Sequence, residues 1–145
     1  MSDCFVCRKH TAPGFEPIMA DEQVVVAHLP LTTPAGSADD AYLGYLIVEP
    51  RRHVSELGDL TPEEAGSFGR LAARASAALT ASEGAEHVYA AVIGHAVDHL
   101  HLHLIPRYPG TPREYWWTRV DEWPDAPRGD AQAIAAFCER LRAAA

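Results

Sequence analysis

Apolar and polar residues alternate without a break from His99 to Leu104, histidine on one parity and leucine on the other. A period of two marks an extended strand whose side chains point to opposite faces. A strand with one oily face is therefore expected over 99–106, ended by Pro106. The runs 24–29, 42–50 and 87–94 are short, apolar and rich in β-branched residues, and read as three more strands, with a weaker one near 16–20. Residues 30–41, PLTTPAGSADDA, are dominated by turn formers and read as a loop. Over 61–82 the period becomes that of a helix. Thr61 is placed to cap it, Pro62 suits its first position and Glu64 completes a capping box. Phe68, Leu71, Ala75, Ala78 and Leu79 form its apolar stripe, and Gly84 is the stop. A second helix fits 130–142, with Ile134, Phe137, Cys138 and Leu141 on one face. Strands in runs with helices between the runs predict an α+β fold on an antiparallel sheet. It forms a single domain over 1–145 with no internal repeat.

Composition narrows this picture. The chain has 145 residues, 48% of them apolar and 22% charged, enough for one packed core. No run approaches the ~18 apolar residues of a membrane span. The opening MSDCFVCRKH lacks the pattern of an export signal, so a soluble, cytoplasmic protein is expected, with no membrane partner. A net charge of −8 disfavours long nucleic acid, while a local cluster of donors can still hold a small anion. Eleven of the twelve basic residues are Arg and only Lys9 is Lys, a bias that reads as a GC-rich genome. Three cysteines, Cys4, Cys7 and Cys138, argue against a disulfide framework.

On a strand, His99, His101 and His103 share one face, three titratable rings over about 13 Å at roughly 3.3 Å per residue. A solvated face that happens to carry histidine is the plain reading. Two chemical readings compete with it. In one, the rings ligate a catalytic metal. In the other, one neutral ring attacks phosphorus and its neighbours donate to phosphoryl oxygens or protonate the leaving group. The spacing favours the second, because three ligands from one strand face make a poor tetrahedron.

The run HLHLHLI, His99 to Ile105, resembles the signature of the histidine triad (HIT) superfamily of nucleotide hydrolases and transferases. The stretches CFVC, GYLIVEPRRHVSEL and LTPEE resemble the family too, so the likeness covers roughly residues 4–112. It implies a HIT-like α+β fold: a five-stranded antiparallel sheet, a long helix and a C-terminal helix, usually in a homodimer. It also implies attack on the α-phosphorus of a nucleoside 5′-phosphate conjugate, of the dinucleoside polyphosphate or nucleoside phosphoramidate type. His101 would be the nucleophile and His103 its catalytic partner on the phosphate, with His99 or the backbone orienting the ring. A nucleotidyl-imidazole would form and be hydrolysed by water, with no catalytic cofactor.

Three positions depart from the family pattern. Tyr45 follows Gly44 where many members carry histidine. His95 stands where a phosphate-binding glutamine is common. No aspartate follows the first core strand near Pro30, so either Asp39 or Asp40 meets ribose or ribose is not the handle. The expected phosphate and nucleotide contacts are thus His95, His103, Tyr45 and Arg107, the last placed directly behind the triad. Arg51, Arg52 and Arg113 are more simply solvated. Trp116 and Trp117 could stack on a base or cover the pocket, with packing the favoured role.

Cys4 and Cys7 form a C-x-x-C pair that can bite one metal ion in a knuckle turn. A redox pair would follow a strand, and too few residues precede Cys4 to make one. Bacterial relatives with this pair complete a structural zinc site with two histidines, here His53 and His99. His10 is a rival fourth ligand, and two reduced thiols without metal are the alternative. Cys138 reads as packing. At the level of function two alternatives stand beside the enzyme: a non-catalytic nucleotide-binding regulatory module, and a metallohydrolase whose catalytic metal is held by histidine.

Overall fold

The computed structural model describes residues 3–145. In chain order it contains α1 (Phe5–Thr11), β1 (Met19–Ala20), β2 (Val24–His28), β3 (Thr32–Thr33), β4 (Gly36–Ser37), β5 (Ala41–Tyr42) and β6 (Leu46–Pro50). Then follow α2 (Pro62–Glu83), β7 (His87–Val92), β8 (Leu102–Arg107), β9 (Arg128–Gly129) and α3 (Ala131–Ala144). Five strands make one antiparallel sheet in the order β1-β2-β6-β8-β7. The α+β fold is the expected one. No helix among the described residues is long and apolar enough to cross a membrane.

The long helix follows from its ends and its stripe. Thr61 Oγ1 accepts from the Glu64 N–H at 3.1 Å, and Glu64 Oε1 accepts from the Thr61 N–H at 2.9 Å. This capping box satisfies two donors that a helix start leaves open. Gly84, at φ 72°, takes the left-handed conformation at the far end. Phe68, Leu71, Ala75 and Leu79 are buried against Val24, Val26, Leu46, Val48 and Leu104 on one sheet face. The opposite face carries Val25, Ala27, Ile47 and Glu49, which are buried as well. Helix α1 lies over that side, tied down through Glu49.

Strand limits differ from the sequence pattern. The triad strand starts at Leu102 rather than His99 and ends at Arg107. Its neighbour β6 ends at Pro50, whose missing N–H cannot extend a ladder. The Pro50 carbonyl accepts instead from His99 Nε2–H at 2.7 Å, and the Leu100 N–H turns to the Val54 carbonyl at 2.7 Å. The run 42–50 also splits. Gly44 sits at φ 92°, so only Leu46–Pro50 joins the main sheet, while Ala41–Tyr42 pairs with β9. Around Cys4 the expected knuckle is a helix start: Cys4 caps α1, its sulfur accepting from the Cys7 N–H at 3.4 Å.

Candidate functional site

Four side chains from three parts of the chain meet beside the start of β8. Cys4 and Cys7 come from the first turn of α1, His53 from the loop after β6, and His99 from the approach to β8. Their ligand atoms all lie within 4.8 Å of one another. Cys4 Sγ is 3.5 Å from His99 Nδ1, and Cys7 Sγ is 3.6 Å from both His53 Nδ1 and His99 Nδ1. In a tetrahedral site with metal–sulfur near 2.3 Å and metal–nitrogen near 2.0–2.1 Å, a sulfur–nitrogen edge is about 3.6 Å. The donor set therefore fits a metal ion. His99 is fully buried, and burial pushes its imidazole below the ordinary value, keeping it neutral as a ligand must be. Its Nε2–H is spent on Pro50, which turns Nδ1 toward the cluster. His10 lies outside the cluster: its Nε2 bonds Glu49 at 3.0 Å.

The other two triad rings sit next to this cluster and do something different. His101 Nδ1–H donates to the His99 carbonyl at 2.8 Å, which leaves the lone pair on Nε2. His103 lies 4.8 Å from it, ring centre to ring centre. Its Nδ1 is 2.7 Å from the Tyr45 hydroxyl. Burial, with the charge of Asp121, pushes the Tyr45 phenol up to about 12, so it keeps its proton and donates to Nδ1. The His103 proton then resides on Nε2, which is buried and has no partner among the described residues. Burial, with His101 beside it, pushes His103 down to about 4, so at neutral pH the ring is an uncharged donor.

His101 and His103 line one cleft. Its walls are mostly apolar, from Phe5 and Val6 on α1, Leu29 and Pro30 after β2, Ile47 on β6 and Val97, with Thr33 as a neutral polar group and Lys9 and Glu49 as its other ionic groups. The remaining expected contacts do not line it. Tyr45 stands behind His103. His95 is exposed. Arg107 donates to the Tyr89 hydroxyl at 2.8 Å and lies 3.6 Å from the Trp116 ring centre, with Arg113 at 4.7 Å from the same ring. Arg52 pairs with Glu64 at 2.8 Å, and Arg51 donates to the Asp21 carbonyl at 2.9 Å. Asp40 pairs with Arg128 at 3.1 Å and lines a different hollow. Trp116 packs, as favoured, while Trp117 is 45% exposed. Sequence reasoning passed over Lys9 and Glu49 as cleft residues; the one signal was a single Lys among eleven Arg.

Residues 19–110 match the family described as HIT domain. The chain belongs to the HIT family. Solved HIT structures share its fold. A Zn-bound histidine triad family protein from Mycobacterium smegmatis superposes with a TM-score of 0.66 at 23% identity, covering 99% of this chain and 93% of its own. A histidine triad (HIT) protein from Sinorhizobium meliloti gives 0.68 at 23% identity, covering 89% and 88%. A hypothetical histidine triad nucleotide-binding protein from Sulfolobus tokodaii gives 0.70 at 16%, covering 97% and 91%. A search of curated proteins by sequence gives no match.

Proposed function

We propose that this HIT protein cleaves the α-phosphate linkage of a nucleoside 5′-phosphate conjugate through a nucleotidyl-histidine. The observation that carries this reading is the fixed tautomer of His101. With Nδ1–H bound to the His99 carbonyl, the Nε2 lone pair is the one available to react, in a cleft it shares with His103. Nε2 attacks the α-phosphorus, a P–N bond forms and the P–O or P–N bond to the leaving group breaks, the leaving group taking the bonding pair and, where it is an amine, a proton from water. His103 Nε2–H donates to a phosphoryl oxygen as charge builds there. Water then attacks phosphorus, the imidazole leaves with its electron pair, and a nucleoside monophosphate is released. The single domain, 1–145, supplies all these groups.

Cys4, Cys7, His53 and His99 hold a structural zinc ion in this reading, supported by the sulfur–nitrogen edges and by the Zn-bound relative. The ion supplies no chemistry to the reaction; it clamps α1 and the approach to β8, and with them the carbonyl that orients His101. The metallohydrolase alternative loses support, because only one of the three triad rings joins the cluster. The protein works as a homodimer. Strand β7 lies at the sheet edge, and Val92 and Ile93 at its end are 41% and 40% exposed. An unpaired strand edge is a template for a second one.

The test is turnover of dinucleoside polyphosphates and adenosine phosphoramidates by wild type and His101→Ala. The variant is expected to fold and to lose at least ~10³-fold in kcat. Retention of full rate would end the proposal, and binding without product in the wild type would favour the regulatory module.

A further inference from the structure

The cleft carries one ion pair that the reaction above does not use. Glu49, 2% exposed, accepts from Lys9 Nζ at 2.9 Å and bonds His10 Nε2 at 3.0 Å. Lys9 and Glu49 both line the cleft that holds His101 and His103. Burying such a pair costs desolvation that a hydrophobic pair of similar size would avoid. Apart from Thr33 and the two histidines, the other wall positions of the cleft are apolar, and eleven other basic positions in this chain are Arg. A compact ammonium therefore stands where an aliphatic side chain would pack.

Its use follows from charge. Phosphate belongs at the histidines, and the Glu49 carboxylate repels a second anion near Lys9. The pair is net neutral, so it is suited to a neutral polar group. Glu49 takes one of the three N–H donors of Lys9, which leaves donors for the cleft. The apolar walls of Phe5, Leu29 and Ile47 suit a base, whose ring nitrogens and carbonyls are acceptors. We propose that Lys9, positioned by Glu49, donates a hydrogen bond to the base of the bound nucleotide. This makes the cleft selective for a nucleotide over a bare sugar phosphate. The inference rests on the nucleotide reading above and names the group that recognises the base.

Two measurements on the metal-loaded protein test it. In the first, affinities of AMP, GMP and ribose 5-phosphate are measured by calorimetry for wild type and for Lys9→Met/Glu49→Gln. The double change keeps charge balanced and leaves His10 a partner. If Lys9 donates to the base, the better mononucleotide loses tenfold or more while ribose 5-phosphate changes less than threefold. If Lys9 is only wall, the more apolar variant binds nucleotide as well or better, and the proposal falls. The second needs no variant, because the chain has a single lysine. Reductive methylation at Lys9, read by peptide mapping, should slow at least tenfold with the mononucleotide bound and stay unchanged with ribose 5-phosphate. Equal protection by ribose 5-phosphate would place Lys9 on the sugar phosphate and overturn the base contact. Failure of every nucleotide to bind would overturn the nucleotide reading itself, whereas unchanged labelling under saturating AMP and GMP would overturn this inference alone.

Discussion

Tyr45 bonds His103, not the His101 ring that is proposed to attack. Its hydroxyl fills Nδ1 and so leaves the proton on Nε2, the buried nitrogen with no partner among the described residues, which in the proposed reaction donates to a phosphoryl oxygen. Tyr45→Phe removes that constraint without touching the cleft. We expect kcat to fall about tenfold to a hundredfold with KM little changed, the range of a lost donor in proton-assisted catalysis. An unchanged kcat would deny the positioning role. Gly44 next to it is required for a different reason. At φ 92° a side chain is strained, and a Cβ there would run into the Tyr108 hydroxyl and come within 2.9 Å of Pro106 Cγ. Gly44→Ala should cost about 2–5 kcal/mol in urea unfolding, adding a left-handed penalty to overpacking. At this scale the sequence exposed His99, His101 and His103, because alternation is local. It concealed Glu49 and Lys9, whose contact joins residues forty positions apart. It also concealed the partner of Tyr45, which only strand pairing brings into reach.

Among the elements, α2 was legible end to end, since its cap, its first proline and its stop are all written within a few residues of where they act. Strand ends were not, because they depend on what the neighbouring strand can still donate. Helix α1 was hidden behind its cysteines, which read as a metal knuckle before they read as a cap. That helix is held at one end by the Cys4/Cys7 cluster and at the other by Glu49. Chelation of the metal should therefore speed amide exchange over residues 5–11 and lower Tm by at least ~5 °C. Exchange unchanged in α1 would contradict the clamp. The sheet carries a pH dependence as well. His28 accepts from the Gly44 N–H through Nε2 at 3.0 Å and donates through Nδ1 to the Leu29 carbonyl at 2.9 Å, an arrangement open only to the neutral ring. Burial holds His28 below its ordinary 6.5, and holds His103 down at about 4. Unfolding releases both to about 6.5, so the unfolded chain binds more protons below that pH. Stability from these two groups is complete above about 6.5 and is lost as pH falls below it, the His103 share by about 4. Glu64, held down to about 2 by the Arg52 guanidinium, adds a loss of the same sign below about 4.5. Urea midpoints that rise between pH 6.5 and 4 would refute this.

For the whole molecule, the expected assembly is a dimer formed along β7. Sedimentation should give about twice the 15.8 kDa chain mass, and Ile93→Glu should shift it toward the monomer. The proposed chemistry rests on one atom, Nε2 of His101. The direct measurement is mass spectrometry of the protein quenched under denaturing, non-acidic conditions during turnover of an adenylyl conjugate. An adenylyl adduct on the peptide carrying His101, absent from His101→Ala, is the predicted result. Steady turnover with no adduct, or with the adduct on another residue, would contradict the account.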